Sequence, residues 1–243
     1  SDTWDFSTST GAVTVNLGTG VATGQGNDTL ISIENLNGSA FDDDLTGDGA
    51  SNIINGANGN DILDGAGGVD TVNGGAGNDR IVGDGNDTLV GGADVDTLDY
   101  TGFGSAVTVD LDDNGAQTSS TGDTISNFEN IDGTAFADDL IGDANDNVLN
   151  GNVGADRLAG GLGDDTLDGG ADIDTADYGA SLTGVTVDLT LGQATGEGTD
   201  TLISIENVDG STLNDTIDGE ANVNIINGDA GNDILSGGAG ADT

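Results

Sequence analysis

Glycine and aspartate return together every nine residues over more than half of this chain, and that period limits what it can fold into. Units of the form G-G-x-G-x-D-x-U-x, with U a large apolar residue, start at Gly38, Gly47, Gly56, Gly65, Gly74, Gly83 and Gly91. They resume at Gly133, Gly142, Gly151, Gly160 and Gly169, and again at Gly210, Gly219, Gly228 and Gly237. The clearest copies are Gly74-Gly75-Ala76-Gly77-Asn78-Asp79-Arg80-Ile81-Val82 and Gly237-Gly238-Ala239-Gly240-Ala241-Asp242-Thr243; the Gly83 unit is one residue short. Glycines at positions 1, 2 and 4 permit positive φ and close backbone approach, so six residues can turn tightly. The remaining x-U-x alternates and makes a very short strand. Two units then form one coil, with the U residues stacked inward and strands of successive coils paired in parallel. Short strands should centre on Leu63, Val72, Ile81, Leu89, Leu149, Leu158, Leu167, Ile226 and Leu235.

The nonapeptides sit inside a longer repetition. Three modules open with Asp2-Thr3-Trp4-Asp5-Phe6, Asp96-Thr97-Leu98-Asp99-Tyr100 and Asp174-Thr175-Ala176-Asp177-Tyr178. Each continues through a strand-like run (Val13–Leu17, Val107–Leu111, Val185–Leu189) and an Ile-Ser segment ending in Glu-Asn at Glu34, Glu129 or Glu206. The expected divisions are 1–95, 96–173 and 174–243, as one continuous solenoid. Trp4, Phe6, Tyr100 and Tyr178 are expected to fill the core of wider spacer coils.

Charge decides what such coils need. Asp and Glu total 45 against two Lys or Arg, for a formal charge of −43. Acidic chains with little bulky apolar surface usually stay disordered. This one has no Pro and keeps its apolar residues in register, so it reads as a chain that folds once cations neutralise its carboxylates. Nucleic acid and anionic membranes are excluded as partners, because Arg80 and Arg157 cannot supply a basic surface. No apolar run approaches a spanning helix, so membrane insertion is not expected. There is no Cys for disulfides or thiolate sites, and no His, Cys or Lys to serve as base or nucleophile, so the chain is not expected to be an enzyme. It lacks Met and a signal-like start, and is expected to be a processed product or an excerpt.

A position-6 carboxylate faces its counterpart one coil away, at a strand spacing of roughly 5 Å. Two carboxylates that close repel unless a cation lies between them, and calcium accepts six to eight oxygens, backbone carbonyls included. The repeats resemble the RTX, or haemolysin-type, calcium-binding nonapeptides, and the spacers are similar to those of long bacterial secreted or surface RTX proteins. The resemblance implies an all-β, right-handed parallel β-roll solenoid, with ions between adjacent turns held by position-6 aspartates and turn carbonyls.

On this mapping, one edge of the first module carries Asp43, Asp61, Asp79 and Asp96, and the other Asn52, Asp70 and Asp87. The second carries Asp138, Asp156 and Asp174 opposite Asn147 and Asp165. The third pairs Asp215 with Asp233 and Asn224 with Asp242. The carbonyl donors the resemblance implies lie in the turns of Gly56, Gly65, Gly74, Gly75, Gly77, Gly91, Gly151, Gly160, Gly169, Gly228 and Gly237. These pairs imply about ten calcium ions, which would bring the charge from −43 to about −23.

Departures refine the expectation. Asn52, Asn147 and Asn224 bring no charge, so their sites should be weaker. Phe41, Phe136 and Leu213 replace the position-4 glycine and are expected to seal the core at the spacer junction. Glu34, Glu129 and Glu206 are expected to cap backbone or face solvent, with ligation as the alternative, and Arg80 and Arg157 to pair with carboxylates at the surface. The functional expectation is a calcium-folded structural region of a secreted, extracellular or bacterial cell-surface protein: a surface layer, filament or adhesin. Further copies of the chain, head to tail, are the expected partner. The alternative is a calcium-dependent folding and export module of a secreted toxin or hydrolase. An ice-binding face is disfavoured because Thr and Asn are scattered over several repeat positions.

Overall fold

The computed structural model describes residues 1–111, the backbone of 117–118, and residues 121–243. Among these residues there is no helix, and the secondary structure is short strands, mostly of three residues. The chain packs as two compact units, Ser1–Phe103 with Asp113–Asn130, and Gly104–Asp112 with Ile131–Thr243.

In the first unit two parallel stacks carry the repeats. One runs Asp44–Thr46, Ile62–Asp64, Arg80–Val82 and Thr97–Asp99. The other runs Asn35–Asn37, Ile53–Asn58, Thr71–Ala76 and Thr88–Ala93. Partners such as Arg80 and Ile62 lie two units apart in sequence, so two units do complete a coil. Pairing in the second stack runs past the expected x-U-x into the next turn, with Gly75 opposite both Ala57 and Gly92. The second unit repeats the pattern through Thr108–Asp110, Asp139–Ile141, Arg157–Ala159 and Thr175–Asp177.

The U residues make the core. Leu45, Ile54, Leu63, Val72, Ile81, Leu89 and Leu98 are all fully buried, as are Leu140, Leu149, Leu158 and Leu167. Fully burying such a side chain contributes about 1.5–3 kcal/mol, one increment per turn. The last coil differs: Ile226 is half-buried and Leu235 is 47% exposed, on a strand with a single neighbour. Phe6, Tyr100 and Tyr178 are buried, as core fillers should be, whereas Trp4 is only half-buried.

The spacers add antiparallel pairing to the roll. Thr14–Asn16 pairs with Val21–Thr23, which pairs with Asn27–Thr29, and Thr186–Asp188, Gln193–Thr195 and Thr199–Ile203 repeat the device. Phe41, Phe136 and Leu213 do not seal the core; they are 43%, 46% and 43% exposed. Position 4 lies in the turn, where side chains point outward, and what packs inward at Phe41 is its backbone, against Gly59.

Candidate metal centre

The position-6 aspartates form ladders, and each splits its two oxygens between two tasks. Oδ1 accepts the backbone N–H of the position-6 residue one coil earlier: Asp43 N–H to Asp61 at 2.8 Å, Asp61 to Asp79 at 2.8 Å, Asp79 to Asp96 at 2.8 Å. Along the other edge Asn52 N–H donates to Asp70 and Asp70 N–H to Asp87, both at 2.7 Å. In the second unit the same bonds join Asp138 to Asp156, Asp156 to Asp174, and Asn147 to Asp165. Asp215 with Asp233 and Asn224 with Asp242 follow at 3.0 Å. The structure therefore brings together every pair expected from the repeat frame.

The second oxygen is left over. Oδ2 of Asp61, Asp70, Asp79, Asp96, Asp156, Asp165, Asp174 and Asp215 is buried without a hydrogen-bond partner. A buried carboxylate oxygen with no partner costs at least 1–3 kcal/mol, roughly, and more when charged. The glycines show where these oxygens point. A Cβ on Gly56 would collide with both Asp61 Oδ2 and the Gly74 carbonyl, one coil on. At Gly74 it would meet Asp79 Oδ2 and the Gly91 carbonyl, and at Gly151 Asp156 Oδ2 and the Gly169 carbonyl. Carboxylate and carbonyl oxygens thus converge on the position-1 glycines, a hard-oxygen donor set that fits calcium. Gly65 and Gly160 present their carbonyls to Gly47 and Gly142 in the same way, and Gly237 to Gly219. Gly151 faces Gly133, whereas at Gly210 the Asn227 carbonyl stands where Gly228 was expected. Gly75 and Gly77 admit the carbonyls of Ala57 and Gly59 at φ values of +117° and +120°.

Burial without a counter-charge raises acids along both ladders. Asp61 and Asp165 are pushed up to about 7, and Asp70, Asp96, Asp156 and Asp174 to about 6. In each, desolvation outweighs the backbone N–H bond that pulls the other way.

The first rungs are built differently. Asp43 and Asp138 spend both oxygens on local groups and the spacer: Ser39 and Val13 for Asp43, Thr134 and Val107 for Asp138. Asn52 Oδ1 accepts the Asp48 N–H and its amide donates to the Glu34 carbonyl; Asn224 does the same with Glu220 and Glu206. Asn147 Oδ1 accepts the Asp143 N–H.

Several ladder members escaped the sequence reading. Asp87 N–H donates to Asp123 Oδ1 at 2.8 Å, and Asp165 N–H to Asp200 Oδ1 at 3.2 Å. The Oδ2 atoms of Asp123 and Asp200 accept the hydroxyls of Tyr100 and Tyr178, so a phenol closes each row. Burial, reinforced by Asp200, pushes the Tyr178 hydroxyl far above its ordinary range. The signal was present: Asp123-Thr124-Ile125 and Asp200-Thr201-Leu202 keep the cadence of Asp87-Thr88-Leu89. On the other edge Glu129 and Glu206 accept the N–H groups of Asp96 and Asp174, and Glu34 that of Asp2, the backbone-capping role. Arg80 pairs with Asp99 at 2.9 Å, and Arg157 with Asp139 at 3.2 Å and with Asp177.

Asp84, in the short unit, was also passed over. Carboxylate oxygens of Asp70, Asp84 and Asp87 all lie within 4.8 Å of one another. Burial, the hydrogen bond with Asp87 and the nearby acids push Asp84 up to about 7.

Comparison with known families agrees with this geometry. The family described as RTX calcium-binding nonapeptide repeat (4 copies) matches residues 33–63, 64–98, 132–167, 141–176 and 209–243, more than half of the chain. No curated protein matches it. A family match over registered ladders of partnerless carboxylate oxygens leaves one conclusion: the chain belongs to the RTX calcium-binding nonapeptide repeat family and is a calcium-binding structural repeat module.

Proposed function

We infer that this chain is a calcium-stiffened structural region of a secreted or cell-surface protein, ordered by calcium outside the cell. The observation that carries the reading is the set of eight buried Oδ2 atoms without partners among the described residues, spaced coil by coil. No basic side chain offsets them, because the chain holds only two Lys or Arg residues, Arg80 and Arg157, and these pair with Asp99, Asp139 and Asp177. The ligands are the position-6 residues mapped above with the turn carbonyls facing them, about ten ions in all. The three sequence modules act as one continuous solenoid. Metal binding supplies the folding free energy, which suits a chain that crosses from low cytosolic calcium to high external calcium. The chain acts by binding and stiffening, not by catalysis. Circular dichroism during a calcium titration of the chelator-treated chain tests the reading. Strand signal should appear with calcium; a full signal in excess chelator would overturn it.

A further inference from the structure

The short unit at Gly83 does something the nine-residue units do not. Position 2 is also acidic at Asp48, Asp143, Glu220 and Asp229; the carboxylates of Asp48 and Asp143 accept the N–H groups of Ala50 and Asn145 at 2.8 Å and meet the row only at an uncharged amide, that of Asn52 or Asn147. In both, four residues separate the position-2 acid from the position-6 side chain, Asn52 or Asn147. In the short unit Asp84 lies three residues from Asp87, and its neighbours in the row are two carboxylates, Asp87 and Asp70, instead of an amide. Two of the three carboxylates are deeply buried: Asp70 is 1% and Asp87 3% exposed. Asp70 Oδ1 is held by the Asn52 N–H, and its Oδ2 is buried without any partner.

We propose that Asp70, Asp84 and Asp87 form a three-carboxylate cation site, chemically distinct from the aspartate–carbonyl sites of the other turns, that binds most tightly and fills first. The proposal rests on the calcium reading of the ladders and adds a rank among its sites. Oxygens within 4.8 Å of one another fit around a single calcium, across which two ligands stand about 4.6–5.2 Å apart. Each added carboxylate increases affinity for a hard cation, and a trivalent lanthanide gains more from the third charge than calcium does. Asp64, whose charge also reaches Asp84, adds a fourth acid at the rim.

Tyr100 provides the readout, because its ring packs against Gly83, beside Asp84. The chain has one Trp and two Tyr, so the full chain carrying Trp4→Phe and Tyr178→Phe leaves Tyr100 as the sole sensitiser of bound terbium(III). Tyrosine-excited terbium emission should rise with the first equivalent added and be displaced by calcium. Asp84→Asn and Asp84→Gly should shift the midpoint by on the order of 10- to 100-fold. Asp28→Asn, which removes one exposed charge elsewhere, should not. Emission that appears only after the other sites fill, or Asp84→Asn titrating like Asp28→Asn, would overturn the proposal. In either case calcium-dependent circular dichroism in all variants would leave the ladder reading standing; its absence in the parent chain would bring down both.

Discussion

A position-6 aspartate with a partnerless Oδ2 serves the roll through Oδ1 and, on the proposed reading, the ion through Oδ2, so removing it should hurt twice. Asp79→Ala deletes the acceptor of the Asp61 N–H and a partnerless Oδ2. It should raise the calcium midpoint of folding more than Asn52→Ala, whose Oδ1 and amide are already taken by Asp48 and Glu34. Calcium titrations followed by circular dichroism compare the two. Glycines divide as sharply. Gly56→Ala places a methyl against Asp61 Oδ2 and the Gly74 carbonyl and should destabilise the calcium-bound chain by about 1–3 kcal/mol. Gly49→Ala meets open space and should be neutral or stabilise by about 0.4–1 kcal/mol. Thermal melts in calcium distinguish them.

Acidity follows from the same oxygens. Asp61 and Asp165 rise to about 7 in the folded, metal-free roll, against about 3.9 in an unfolded chain. A raised carboxylate means that the fold prefers the neutral acid, so its penalty is absent below about pH 4 and complete above about pH 7. The calcium-stripped chain should therefore gain strand signal as pH falls through this window. With calcium present the direction reverses, because protons compete for the same oxygens, and the calcium midpoint should rise as pH falls. A calcium-free chain that loses strand signal on acidification would contradict this account.

At the scale of the element, a strand of three residues stands only because its neighbours stand. Each offers the core a single side chain, fully buried in the middle coils. Ile81→Ala or Leu158→Ala should cost about 2–5 kcal/mol in calcium, whereas Leu235→Ala, already 47% exposed, should cost far less. Chemical denaturation in saturating calcium measures both. The arginines act at this level too, because the strand pairing that sets Val82 beside Asp99 puts Arg80 within 2.9 Å of its carboxylate. Asp99 and Asp177 are nearly buried, so each guanidinium serves an acid that water scarcely reaches.

Across the whole molecule, charge and topology set how folding spreads. A formal charge of −43 opposes any compact metal-free state, and ordering nine residues costs on the order of 9–18 kcal/mol in backbone entropy. One buried apolar side chain per unit does not offset that. Coils touch only their neighbours, so order should propagate along the array and calcium binding should be cooperative. A titration with Hill slope near one, followed by circular dichroism, would contradict this.

The repeat frame was legible because it is local. Positive-φ glycines, one aspartate and one apolar residue per nine fix turn, ladder and core without reference to distant chain, and the residues from Asp61 to Asp96 fell where the period put them. What tertiary structure decided is everything that closes over spacers. Asp87 reaches Asp123 across 36 residues and Asp165 reaches Asp200 across 35, separations that the nine-residue period does not set. The same holds for the division of each carboxylate, since neither oxygen is marked in a sequence until the preceding coil supplies its N–H. Asp84 stands between the two cases: one missing residue is visible in the chain, but only packing shows that this position-2 acid lies against two carboxylates, Asp70 and Asp87.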